Sequence, residues 1–130
     1  MAGRVVHFEI PYDDGERARR FYAEAFGWQL QEMPDLQYTM VSTGPVTDEG
    51  MPSEPGYVNG GMFDRAAAGE INKPVLTIDV DDIDASWKTI EQLGGKPVGE
   101  KLAVGEMGFA AYFTDSEGNL LGLWQTASTG

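Results

Sequence analysis

The chain has 130 residues, with 21 acidic against 9 basic side chains and a formal net charge of −12. That length bounds one domain or two small fused halves, and the acidity repels phosphate backbones and anionic bilayers, so neither nucleic acid nor a membrane is an expected partner. Cysteine is absent, which removes disulfides, thiolate metal sites and cysteine nucleophiles together.

In chain order, RVVHFEIP at 4–11 is rich in Val, Ile and Phe and reads as a strand. Asp13 and Asp14 follow as N-cap candidates, and a helix is expected over about 14–26, with Ala18, Phe21, Tyr22, Ala25 and Phe26 on one apolar face. Gly27 suits the left-handed position after a helix. WQLQEM at 28–33 and QYTMVST at 37–43 are strands around a turn at Pro34-Asp35, and 44–56 is a loop of Gly, Pro and acid. YVNGGMF at 57–63 is a strand with paired glycines, and 64–73 is a connector whose three alanines suit a helical turn.

The order then recurs. PVLTIDV at 74–80 is a strand, Asp81-Asp82 lead a second helix with Ile83, Trp87, Ile90 and Leu93 on one face, and Gly94-Gly95 end it. Residues 96–104, 108–114 and 120–125 are strands, with the turn-rich DSEGN at 115–119 between the last two. Ile10–Asp14 aligns with Ile78–Asp82, and Gly61-Met62-Phe63 with Gly122-Leu123-Trp124. The chain therefore reads as an internal repeat, each half a strand, a helix and three strands. The expected class is α+β: two tandem βαβββ modules, 1–66 and 72–126, making one domain with helices outside an open cupped mixed sheet. A concave sheet of that kind suits a small molecule.

Three stretches carry a family resemblance: HFEI with FYAEAFGW, VLTIDVDDIDASWKTIEQLGGK, and YFTDSEGNLLGLWQ. Together, in this order, they resemble the vicinal oxygen chelate superfamily, which includes glyoxalase I, bleomycin-resistance proteins, fosfomycin-resistance enzymes and extradiol dioxygenases. The resemblance implies a divalent-ion site fed by the first and fourth strands of each module. Position by position, those ligands fall on His7, Gly61, Val75 and Gly122, so one donor of four is kept. One imidazole is too few for a site that normally takes three or four ligands. The expected cofactor is therefore none, with a shifted site of His7, Glu9 and Asp79 or Asn59 as the weaker reading. Asp79 lies four residues from Val75, about 13 Å along a strand.

Without metal, His7 and Glu9 share a strand face and make a candidate acid–base pair. Asn59, Gly61, Thr77, Gly122 and Trp124 are the candidate ligand-binding positions, and the two glycines either make room for an organic ligand or ease sheet packing. Buried Glu9 needs a partner, with Arg4 or a ligand cation as candidates. Three functions follow: a metal-independent binder of a small organic ligand like the bleomycin-resistance branch, a lyase, isomerase or dioxygenase-like enzyme using His7 and Glu9, or a non-catalytic interaction subunit. The resemblance also implies a homodimer. The N-terminus shows no apolar signal region, and a cytoplasmic location is expected.

Overall fold

The computed structural model describes residues 3–69 and 71–127. Eight strands and two helices follow in the expected order: β1 (Val5–Tyr12), α1 (Gly15–Phe26), β2 (Gln29–Met33), β3 (Tyr38–Ser42), β4 (Gly60–Asp64), β5 (Val75–Asp79), α2 (Ile83–Gln92), β6 (Lys96–Val104), β7 (Gly108–Thr114) and β8 (Leu120–Thr126). The fold is α+β, built from two βαβββ modules. The expected Pro34 turn and the alanine connector are short 3-10 turns, Pro34–Leu36 and Arg65–Ala67.

Contacts divide the chain into two units, one spanning His7–Pro74 and one from Val75 onward. Of the residues before His7, those described, 3–6, group with the second unit. There the Gly3 amide donates to the Asp79 carbonyl at 2.6 Å, and the Asp79 amide donates to the Arg4 carbonyl at 2.8 Å.

In the first unit the strand order is β2-β3-β4-β1. β1 and β4 are parallel, and β3 is antiparallel to both β2 and β4. Asp14 caps α1 by accepting from the Arg17 amide, and Gly27 closes it at φ 73°. Only glycine adopts that left-handed conformation without steric cost. Thr39, Val41 and Met62 are almost fully buried on one sheet face. By strand alternation that face also carries Phe8, Ile10 and Tyr12.

The apolar stripe of α1 does not become core. No α1 residue is buried, and Phe21 and Phe26 are 58% and 63% exposed. The aromatic side chains stack on one another instead. Tyr22 lies parallel to Trp28 with ring centroids 4.8 Å apart, and Trp28 packs on Phe8 at 5.7 Å.

The second unit has the order β5-β8-β7-β6, with β5 and β8 parallel. Here the helix does bury its stripe. Ile83, Ala111, Phe113 and Leu123 form the core, with Trp87 and Ile90 packed against it. Trp87 also donates its indole N–H to the Tyr112 carbonyl at 3.0 Å, so the buried polar end of the ring is satisfied. Asp82 caps α2 by accepting from the Asp84 and Ala85 amides.

Candidate functional site

Residues paired across strands project to the same face of a sheet. In the first unit Glu9 pairs with Gly61, and Gly61 pairs with Met40. His7, two residues before Glu9, and Tyr38, two before Met40, therefore lie on that same face, opposite the α1 side. There the three polar side chains meet. The Tyr38 hydroxyl donates to Glu9 Oε2 at 2.9 Å and lies 2.8 Å from His7 Nε2. The His7 and Tyr38 rings are nearly parallel, 13° apart with centroids separated by 6.5 Å. All three residues are half-buried.

Proton counting fixes the roles. A phenol has one proton, and an ionised carboxylate can only accept. With that proton on Glu9, the Tyr38 oxygen is an acceptor towards His7, so His7 carries its proton on Nε2. Burial pushes the His7 pKa below 6.5, against the smaller upward pull of the Glu9 charge. The imidazole is thus held neutral at pH 7, and Glu9 gains the partner that its burial requires. Tyr38 is such a partner.

Gly61 makes this arrangement sterically feasible. A methyl group built on it would fall inside the Tyr38 ring, overlapping Cζ, Cε2 and the hydroxyl oxygen. The space left by the missing side chain is taken by tyrosine. Tyr38 is a member of the site that sequence reasoning could offer only as a possible wall residue beside Met40, Met62, Phe109 and Tyr112, since strand parity from one sequence does not assign its face. The usable signal was Gly61 itself, because a glycine within a strand marks a close approach.

Asn59 sits one step before β4 and ties it to the end of β3. Its Oδ1 accepts from the Thr43 amide at 2.8 Å. That donor fixes the amide orientation, because a flipped Asn59 would set N–H against N–H. Its Nδ2 is the one buried, unpaired side-chain polar atom among the described residues. An unsatisfied buried donor costs about 1–3 kcal/mol.

In the second unit, Thr77 and Gly122 are paired across β5 and β8, as are Asp79 and Trp124. A methyl group at Gly122 would stand 3.0 Å from Thr77 Oγ1 and 3.5 Å from both Tyr112 and Val75. Thr77 is 6% exposed and Val75 2%. Trp124 donates its indole N–H to Thr126 Oγ1 at 3.1 Å. The predicted residues therefore form two groups: His7, Glu9, Asn59 and Gly61 in the first unit, and Thr77, Gly122 and Trp124 in the second. An open concavity of about 540 Å³ lies elsewhere in the first unit, lined by residues including Tyr12, Glu32 and Asp64. These residues alternate with His7 and Glu9 or pair with residues that do, so the concavity is not on the His7 face.

Comparison with known proteins agrees with this architecture. A family model described as bleomycin resistance protein-like N-terminal matches residues 4–44. A glyoxylase-like domain-containing protein of Didymella fabae is 28% identical over 122 residues, covering 92% of this chain and 91% of its own. CFP32 of Mycobacterium bovis, named for a glyoxylase, is 29% identical over 124 residues, which span 90% of this chain and 43% of CFP32. Among solved structures, a variant of Streptomyces coelicolor methylmalonyl-CoA epimerase in complex with 2-nitronate-propionyl-CoA superposes with a TM-score of 0.65. It is 17% identical and is covered over 98% of this chain and 100% of its own. The family model and the relatives point to a likeness with the vicinal oxygen chelate superfamily, and the solved structures share the fold.

The divalent ion that a likeness to this superfamily implies does not fit the side chains present here. Val75, Gly61 and Gly122 offer no donor atom. Among the described residues no group of three or more His, Cys, Asp or Glu is placed to hold a metal. In the first unit the Tyr38 hydroxyl engages His7 Nε2 and Glu9 together, where an ion bridging them would need to stand. The shifted set of His7, Glu9 and Asn59 fares no better, because Asn59 Oδ1 is committed to Thr43. No helix among the described residues is long and apolar enough to cross a membrane.

Proposed function

We propose that this protein binds a small organic ligand at the His7–Tyr38–Glu9 face without a metal, in the manner of the bleomycin-resistance branch. The observation that carries the reading is the tyrosine on Gly61. It ties the histidine and the carboxylate into one neutral-plus-anionic hydrogen-bonded trio, which can orient an organic ligand through hydrogen bonds and charge. With His7 neutral, the trio's net charge comes from Glu9, which favours a neutral or cationic ligand, as does the chain's net charge of −12. Asn59 Nδ2 supplies an unpaired donor for a ligand or water oxygen near the start of β4. The proposal includes a homodimer in the cytoplasm with no cofactor.

The test is a thermal-shift screen of planar and cationic compounds on chelator-treated protein. A ligand that raises the Tm of the metal-free protein, with the shift lost in His7→Ala, supports the reading. A shift that appears only after a divalent ion is added overturns it.

A second reading, proton transfer by an enzyme of lyase or isomerase type, is favoured by one observation: burial holds His7 in its basic, neutral form. Turnover of any compound found in the screen should then vanish in His7→Ala and fall steeply in Glu9→Gln. Unchanged turnover in both variants removes this reading.

A further inference from the structure

We infer that Tyr38 is a positioning residue that fixes the tautomer of His7, leaving Nδ1 as the site's hydrogen-bond acceptor for an N–H or O–H group of the ligand. The ligand assignment rests on the small-molecule reading above; the tautomer assignment stands on geometry alone.

The geometry runs from carboxylate to imidazole through a single oxygen. Glu9 Oε2 accepts the phenol proton at 2.9 Å, and the same phenol oxygen lies 2.8 Å from His7 Nε2. An oxygen that has given its proton to a carboxylate offers only lone pairs to the next neighbour. Nε2 must then be the protonated nitrogen, and the lone pair of the neutral ring is on Nδ1. A carboxylate that orients an imidazole directly does the same work in the Ser-His-Asp arrangement. Here a phenol stands between the two groups, and Gly61 provides the space for its ring.

Nδ1 is also reachable. Among the described residues it has no hydrogen-bond partner, and it is not a buried unpaired atom, since Asn59 Nδ2 is the one such atom. An unbonded nitrogen that is not buried faces solvent or ligand. The first unit therefore presents one oriented lone pair, on a ring that burial keeps unprotonated near neutral pH. Ligands with a hydroxyl, amide N–H or ammonium donor match it. Protonation of His7 in acid would convert that acceptor into a donor and reverse the preference.

His7 is the only histidine in the chain, so nitrogen-15 NMR of histidine-labelled protein reads this ring without assignment. At pH 7.5 the wild type should show a pyrrole-like Nε2 and a pyridine-like Nδ1, with a slowly exchanging Nε2 proton. Tyr38→Phe keeps a ring over Gly61 but removes the oxygen. It should lose the slow proton and move both nitrogens towards tautomer-averaged positions. A wild type protonated at Nδ1, or a Tyr38→Phe spectrum matching the wild type, overturns the tautomer assignment. Phenol and anisole, which differ by the O–H donor, test the ligand assignment on the same signals. Phenol should shift Nδ1 and anisole should not. Equal shifts, or none from either probe, overturn the donor-ligand assignment and leave the tautomer result intact.

Discussion

Gly61 and Gly122 occupy matching points of the two modules, in Gly61-Met62-Phe63 and Gly122-Leu123-Trp124, yet their surroundings differ. A methyl group at Gly61 would overlap the Tyr38 ring, whereas one at Gly122 meets Thr77 Oγ1 at 3.0 Å and other side chains at ordinary contact distance. The helices differ as well. α2 buries Ile83 completely, whereas α1 buries no residue and leaves Phe21 and Phe26 exposed. The second module spends its apolar residues on a conventional core. The first is organised around a tyrosine crossing a glycine, and the polar chemistry is located there. Repetition of a fold thus does not carry repetition of a site.

The sharpest break of this contrast lies in the cores. Ile83→Ala should cost about 2–5 kcal/mol in urea unfolding, because it opens a cavity under α2. Phe26→Ala, at the matching helix of the first module, should stay within about 0.5 kcal/mol. A comparable loss for Phe26→Ala in dilute protein would mean that the α1 face is covered in solution. Sedimentation of both proteins would then show whether a second copy covers it.

The next largest difference is between the glycines. Gly61→Ala should cost about 1–3 kcal/mol, since Tyr38 must swing away and give up its hydrogen bonds to His7 and Glu9. Gly122→Ala should fall within about 1 kcal/mol of neutral, because the reduced entropy of the unfolded chain offsets a small adjustment of Thr77. A double-mutant cycle refines this comparison: in a Tyr38→Ala background most of the Gly61→Ala cost should disappear. Equal costs in both backgrounds would remove Tyr38 from the explanation.

Smaller still is the pH effect. His7 has a folded pKa below its unfolded value of 6.5, so the unfolded chain binds the extra proton first as pH falls. Its contribution to stability is fully present above pH 6.5 and is lost as pH falls through the folded pKa. Unfolding free energies of the wild type and His7→Gln at pH 7.5 and 5.5 should show the steeper decline in the wild type. Parallel declines would contradict a buried, neutral His7.

Much of the fold was legible because it is written in local signals. Asp14 and Asp82 cap their helices as their positions predict, Gly27 takes the left-handed turn, and the alternating strands fall within a few residues of expectation. The apolar stripe of α1 misled because periodicity identifies an amphipathic face but not what covers it. The site was half legible. His7 and Glu9 share a strand, so parity alone placed them together. Tyr38 lies 29 residues beyond Glu9 on a different strand. Its arrival over Gly61 depends on the register of β3 against β4, which one sequence does not reveal. The relatives carry the same limit, since likeness at 17% identity gives a fold and no ligand.

The central claim is that Tyr38 stands between His7 and Glu9, where a metal ion would otherwise have to bind. Calorimetric titration of chelator-treated protein with Ni²⁺, Zn²⁺, Mn²⁺ and Fe²⁺ tests it most directly. The account predicts no one-to-one binding that depends on His7. One ion bound per chain, with binding abolished in His7→Ala, would contradict it.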